Sequence, residues 1–582
     1  MHRIFARIVV IFLGLYSTCS GRDDSLVVDT AAGSVRGRLQ DIIHGLSVKQ
    51  FAGIPYAEPP VGELRFAPPQ PAKPWNGVKE AVKFGPICPQ VTMKQFFSLP
   101  ENVTIEEEPQ DEDCLTLNVY TPSQATSNDK LAVMVWIHGG GFVGGSASSY
   151  NPSVLVAYND VIVVTINYRL GVLGFFNIPG TDVKGNFGML DQVLALKWVQ
   201  QNIANFGGDP KNVTIFGESA GGMSATNHLV SPLSKGLFQR VIGQSGSAGY
   251  INNGIHVKST ENVNTFAKVL NCDVDKDLMS CLRSKSWNDV LNAQRNVTFP
   301  ANMGPQTISC VTVDGEFLTD TPRALMTKLN GTGSNSEVQV MMGVTSNEGG
   351  FWAMMAVDLY KDGVDKKFVE QNIRHGMKLY DPHTRLIEDA TLFEYLDHSD
   401  LDNRLKNRQA LMDMFSDNVF NAPAIHDAKA LTSVNVPVYF YVFDHQPHFN
   451  QFPKWLGVCH GVDLFFSFGT PIQSDGFYEL FKILVPKFSD LEVGLALYTM
   501  KMWTNFAKHG DPNAGETTPV VTWPQYNSSA QGYLRISLEP KVEYSYRERK
   551  VEFWNNLVPK LAEKGSEHKS GGTKEQTVKE EL

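Results

Sequence analysis

Apolar residues recur with two different periods along this chain, and each change of period marks a new element. Leu26-Val-Val28, Ser34-Val-Arg-Gly37 and Val48–Ile54 alternate apolar and polar positions and predict short strands in a hairpin-like opening. Leu115–Tyr120 is strand-like. Leu131–His138 and Val161–Asn167 are unbroken apolar runs, the pattern of strands buried on both faces. From Met189 the period becomes helical: Leu190, Val193, Leu194, Leu196, Trp198, Val199 and Ile203 recur until Phe206-Gly-Gly-Asp-Pro210 stops them. Val213–Phe216, Val241–Gln244, Val338–Gly343 and Val436–Phe443 return to the strand pattern. Residues from about 355 to 435 read as mostly helical, and Leu491–Ala507 as a late amphipathic helix. Strands alternating with helices predict an α/β fold, a large, mostly parallel central sheet flanked by helices.

Composition adds bounds. The chain has 582 residues, 42% hydrophobic and 19% charged, which is enough for a large core. The net charge of -10, without long acidic blocks, argues against nucleic acid as a partner. Residues 1–21 read as a signal peptide. His2, Arg3 and Arg7 precede an apolar core, Ile8–Tyr16, that is too short to span a bilayer, and Ser17–Gly21 offers a cleavage site. No later stretch is long and apolar enough to span, and no hydrophobic tail signals a lipid anchor, so no transmembrane anchor is expected. Length alone allows two to four domains, but a large α/β chain can run as one unit, and residues 22–562 are expected to form a single domain. Residues 563–582 form a polar tail, expected to be disordered.

Secretion changes the meaning of the cysteines. Cys19 leaves with the signal. In an oxidising lumen Cys88 with Cys114, and Cys272 with Cys281, are natural neighbours, although spacing alone proves neither pair. Cys310 and Cys459 are left as free thiols. No Cys-x-x-Cys or His-Glu-x-x-His occurs, so no metal site is expected. Asn102, Asn296, Asn330 and Asn527 are glycosylation candidates. A fifth sequon, Asn212, lies against a predicted strand and is expected to be too constrained.

Candidate chemistry centres on Asn212–Gly222. The β-branched run Val213–Phe216 ends at Gly217, and Gly217-x-Ser219-x-Gly221 comes next, with a helix-compatible segment after it. This is a nucleophile-elbow pattern, in which a strand turns sharply into a helix and presents one serine hydroxyl. A serine needs a base, a group to orient the base, and donors for the developing oxyanion. His138-Gly-Gly-Gly141-Phe142, directly after a buried strand, can supply backbone donors together with the N–H of Ala220. In this type of site the acid follows the serine and the histidine comes last. Glu348 falls just past a predicted strand. His445, His448 and His460 all follow the next one, and spacing does not choose among them.

The ordered set of Phe51-Ala-Gly-Ile-Pro-Tyr56, Glu112-Asp-Cys-Leu-Thr-Leu-Asn118, Trp136–Phe142, Asn167-Tyr-Arg-Leu-Gly171, Gly185-Asn-Phe-Gly188, Phe216–Gly222, Gln244-Ser-Gly-Ser247, Val313-Asp-Gly-Glu-Phe317, Gly343–Gly349 and His460-Gly461 resembles the type-B carboxylesterase/cholinesterase family of the α/β-hydrolase fold, over about Leu26 to Leu561. The resemblance implies Ser219 as nucleophile, His460 as base and Glu348 as orienting acid. It assigns the oxyanion N–H groups to Gly140, Gly141 and Ala220. It also implies the disulfides Cys88–Cys114 and Cys272–Cys281, and buried ion pairs of Arg65 with Glu112 and Arg169 with Asp191. The implied activity is hydrolysis of small or medium esters through an acyl-enzyme, without cofactor. Adhesion members of the family usually lack a triad residue, whereas all three matching positions are intact here. Cholinesterases carry a tryptophan between the first two disulfide cysteines and aromatics before Asp-Gly-Glu-Phe. Here those segments offer only Phe96 and Phe97, and Pro305–Cys310 with no aromatic, so poor turnover of choline esters is expected. The terminal Lys579-Glu-Glu-Leu582 resembles a retrieval tetrapeptide read by a receptor, so residence in the endoplasmic reticulum lumen, or secretion, is expected.

Overall fold

The computed structural model describes residues 26–91, 108–178, 181, 183–250, 260–298, 311–329, 338–354, 360–377, 384–447, 453–473, 488–515 and 520–570. Eleven strands form the central sheet: β1 (Arg38–Asp41), β2 (Ser47–Pro55), β3 (Thr116–Pro122), β4 (Leu131–Ile137), β5 (Ile162–Ile166), β6 (Gly208–Glu218), β7 (Arg240–Gln244), β8 (Gln339–Thr345), β9 (Val438–Phe443), β10 (Gly532–Ile536) and β11 (Lys541–Tyr544). Their spatial order is β11-β10-β9-β8-β7-β6-β4-β5-β3-β2-β1. The run from β5 through β4 and β6 to β10 is parallel, and the strands at both margins are antiparallel. The parallel strands β4, β5 and β9 are the unbroken apolar runs, and almost every residue in them is buried.

The predicted opening hairpin divides between two sheets. Val27–Thr30 and Gly33–Arg36 pair in a small separate sheet with Val78–Glu80, while Val48–Ile54 lies inside β2 of the large one. Helix Phe187–Asn202 matches the predicted period, and a 3-10 turn, Ile203–Phe206, extends it to Gly207. Helices Lys366–Met377, Thr384–Tyr395, Arg404–Phe415 and Ala422–Ser433 fill the stretch read as helical. Ser489 caps helix Asp490–His509 in a reciprocal bond with Glu492. Among the described residues no helix is long and apolar enough to cross a membrane.

Helix Val558–Ser570 runs through residue 563 and continues to Ser570. The physical reason is local: Leu561-Ala-Glu-Lys564 and the residues after it include strong helix formers. The signal segment and the terminal tetrapeptide lie outside the described residues.

Two deeply buried ion pairs tie distant segments together. Arg169 donates to Asp191 from its backbone N–H (3.0 Å), Nε (2.8 Å) and Nη2 (2.7 Å). Arg65 meets Glu112 through Nε (2.7 Å) and Nη2, and its Nη1 donates to the carbonyls of Arg283 (3.2 Å) and Lys285 (2.6 Å). Losing one member of such a pair strands a buried charge, at about 3–5 kcal/mol. Disulfides join Cys88 to Cys114 and Cys272 to Cys281. Cys459 is a buried free thiol, and burial, followed by the nearby Glu348 charge, pushes it up to about 12. Cys310 lies outside the described residues.

Asn527 is exposed in a turn, and Asn296 lies in helix Trp287–Thr298. Asn102 and Asn330 fall outside the described residues. Asn212, inside β6, accepts a hydrogen bond from Arg240 Nη1 and donates to the Lys508 carbonyl at 3.4 Å, so its side chain is engaged.

Candidate active site

The chemistry-bearing residues gather at the carboxyl ends of parallel strands, where loops open outside an α/β sheet. β6 ends at Glu218, Ser219 forms the turn, and helix Ala220–Val230 begins at once. Ser219 has φ 56° and ψ -124°, a backbone that an L-residue rarely adopts. Its N–H donates to the Gln244 carbonyl at the end of β7 (2.9 Å), and its carbonyl accepts from Met223 (2.8 Å). The flanking glycines are required by contact. A Cβ on Gly221 would lie 2.0 Å from the Ile137 carbonyl oxygen, and one on Gly217 would lie 2.5 Å from the Gly221 backbone. The predicted nucleophile and its helix therefore lie close against the loop that leaves β4.

That loop is the glycine run. Ile137 stands opposite Gly217 in the sheet register, so the two loops leave adjacent strands side by side. A Cβ on Gly139 would lie 3.1 Å from Ser219 Cβ. Gly140 and Gly141 have φ of 106° and 63°, and the Gly140 carbonyl accepts from Val143 and Gly144, each at 3.0 Å. The carbonyl turns into its own loop in this way. Among the described residues the N–H groups of Gly140 and Gly141 meet no backbone acceptor. Ala220, the first helical residue, adds a third N–H beside the serine.

Glu348 lies just after β8 and is fully buried. Its Oε1 accepts from Ser245 Oγ (2.6 Å) and the Thr345 N–H (2.7 Å), and its Oε2 accepts from His460 Nδ1 (2.6 Å). Of the two described histidines among the three that spacing left open, His460 is bonded to Glu348. His445 bonds instead to Glu492 at the start of helix Asp490–His509 (3.1 Å), and His448 lies outside the described residues. Phe420 packs against the His460 ring with centroids 4.5 Å apart, and Phe351 approaches it edge-on at 5.4 Å.

Sequence reasoning missed Glu218. His460 Nε2 is 2.9 Å from Glu218 Oε1, so the imidazole bridges two carboxylates. Burial alone would lower its pKa. The charges of Glu218 and Glu348 and their hydrogen bonds outweigh burial and raise it to about 10. Among the described residues no hydrogen bond joins His460 to Ser219 Oγ. The signal was present in the sequence: a carboxylate one position before the serine shares its strand-to-helix turn. Segments 92–107 and 299–310, which hold Phe96, Phe97 and Pro305–Cys310, lie outside the described residues. No group of three or more His, Cys, Asp or Glu suited to a metal occurs among the described residues.

A serine at a strand-to-helix turn, beside a glycine loop and a Glu–His pair at one end of a mixed eleven-stranded sheet, defines an α/β-hydrolase. The profile of the carboxylesterase family matches residues 24–554. The chain is 35% identical to an acetylcholinesterase of Bungarus fasciatus, covering 93% of this chain and 88% of that one. It is 37% identical to a medium-chain fatty acyl-CoA hydrolase precursor of Anas platyrhynchos, covering 92% of each. It is 35% identical to neuroligin-2 of Mus musculus, covering 94% of this chain and 69% of that one. The chain belongs to the carboxylesterase family and is a carboxylic ester hydrolase.

Proposed function

We propose that this chain hydrolyses small or medium carboxylic esters by two-step acyl transfer, with Ser219 as nucleophile, His460 as base and Glu348 as orienting acid. The observation that carries this reading is the 2.6 Å His460–Glu348 bond at the same sheet end as the elbow serine. Ser219 Oγ forms a bond to the ester carbonyl carbon while His460 Nε2 takes its proton. The N–H groups of Gly140, Gly141 and Ala220 receive the oxyanion. Collapse breaks the ester C–O bond, and Nε2 returns the proton to the leaving alcohol. Water then attacks the acyl-enzyme by the same route, giving the acid and free Ser219. The test is hydrolysis of p-nitrophenyl butyrate by the wild type and Ser219→Ala side by side. Turnover by the wild type alone supports the reading. A folded but inactive wild type would reassign the fold to a binding role, as in an adhesion protein.

Glu218 sets a condition on the base. With Nε2 2.9 Å from Glu218, the charge of Glu218 joins that of Glu348 in favouring the protonated imidazole. Glu218→Gln removes one of the two anions that hold the imidazolium. The acid-side midpoint of kcat/KM should therefore move to lower pH than in the wild type. A midpoint that stays in place or rises would show that Glu218 does not govern the titration.

The two disulfides and the absence of a membrane-crossing helix among the described residues are consistent with a lumenal or secreted protein. We assign it to the endoplasmic reticulum lumen through Lys579–Leu582 and a retrieval receptor. Deleting those four residues should release active enzyme to the medium. Unchanged secretion after the deletion would remove the assignment.

A further inference from the structure

Ser219 and Glu348 each sit within a few residues of a strand end, but His460 does not. β9 ends at Phe443, and among the described residues the histidine follows the short turn Lys454–Leu456 and then Gly457-Val-Cys459. Its position must be fixed by what that stretch touches. One of these contacts is with the loop that carries Glu348, and Asn347 makes it.

Asn347 joins the two loops twice. Its backbone N–H donates to the Val458 carbonyl at 3.0 Å, and its Nδ2 donates to the Leu456 carbonyl at 2.5 Å. The carbonyls on either side of Gly457 are thus both held by one residue. Gly457 itself lies flush beneath the amide: a Cβ there would come within 3.0 Å of Asn347 Nδ2 and 3.2 Å of its Cβ. Its backbone, φ 62° and ψ -152°, is one that glycine alone adopts readily. On the other side of Asn347, a Cβ on Gly350 would lie 2.5 Å from the Leu456 carbonyl oxygen and 3.0 Å from Cys459 Cβ. Both loops are shaped to meet without a gap, with small residues where they touch and one amide bonded across them.

We propose that Asn347 is a positioning residue that registers the histidine loop against the acid loop, so that the His460 ring meets the carboxylate one residue further along the chain. The side chain of Asn347 bonds to the Leu456 carbonyl and not to Ser219, His460 or Glu348. It acts through His460, in the same way that a second set of contacts holds a working group within a fraction of an ångström. The proposal rests on His460 and Glu348 having the roles given above.

The experiment compares full-length wild type, Asn347→Ala and Asn347→Leu. Alanine deletes the amide, and leucine keeps its bulk without the donor. Two readouts are taken: steady-state hydrolysis of p-nitrophenyl butyrate, and the low-field proton resonance of His460 Nδ1–H, assigned by its loss in His460→Ala. Both Asn347 variants should lose about 10- to 100-fold in kcat with KM nearly unchanged, because a displacement of about 1 Å carries such a penalty. The resonance should shift or broaden in both. Gly457→Ala, which pushes a methyl into the same contact from the opposite loop, should reproduce the pattern and keeps the test open if one Asn347 variant folds poorly. Wild-type kcat together with an unshifted resonance in the folded variants would overturn the proposal. If the wild type itself fails to turn over, the mechanistic reading fails, and the resonance still decides whether Asn347 sets the ring.

Discussion

Ser219→Ala is expected to lower kcat for p-nitrophenyl butyrate by on the order of 10⁶, the loss found when a serine hydrolase is deprived of its nucleophile. Ser245 is not placed to take over: it is fully buried and its hydroxyl donates a hydrogen bond to Glu348 at 2.6 Å. Ser219, by contrast, is only partly buried, at the mouth of the turn. What survives in the variant should be the contribution of the oxyanion donors and substrate binding, about 10³–10⁴ over water. A fluorophosphonate probe offers an independent check. It should label the wild type once per chain, on the peptide bearing Ser219, and leave the variant unlabelled. Residual kcat above about one hundredth of wild type, or labelling elsewhere, would contradict the assignment, since triad losses are far larger than that.

Glu348→Gln should be the next most damaging change, costing about 10⁴ in kcat by setting the wrong imidazole tautomer. The reason lies in the donors around the carboxylate. Oε1 receives both the Ser245 hydroxyl and the Thr345 N–H. A glutamine would place its carbonyl oxygen there and turn its NH₂ toward His460. Nδ1 would then have to accept, the proton would move to Nε2, and the atom that should receive the serine proton would already carry one. KM should change by only a few-fold, because no substrate contact is removed. Full activity at Glu348→Gln would mean that the 2.6 Å bond has no catalytic consequence.

The apolar runs made most of the sheet legible in the sequence. β4, β5 and β9 are buried on both faces, so their composition had little freedom. The elbow and the glycine loop were legible for a related reason. Gly217 and Gly221 stand where any Cβ would strike backbone, so the pattern reflects contact as well as chemistry. The histidine was not legible from spacing. His445 and His460 both come after β9, and what separates them is a contact from the preceding strand's loop, which no local period records. Glu218 was overlooked because its bond to His460 links residues far apart in the chain. Helix Val558–Ser570 carries no signal of its own in the sequence, because Lys and Glu serve equally well in a helix and in a solvated tail.

The strand order has a consequence for how the molecule comes into being. β6 lies against β4 and β7, all available early, but β8 waits for residue 345 and β9 for residue 443. The margin beyond them is supplied by Gly532–Ile536 and Lys541–Tyr544, after a further long stretch of chain. Until those strands arrive, β9 presents an unpaired, wholly apolar edge, the kind of surface on which chains aggregate. Parallel pairing over such separations is also slow. Ribosome-bound chains stopped anywhere between about residue 443 and residue 532 should therefore be the most chaperone-dependent species in the life of this protein. Truncations that remove β10 and β11 should yield insoluble protein, even though every residue of the proposed catalytic triad is present.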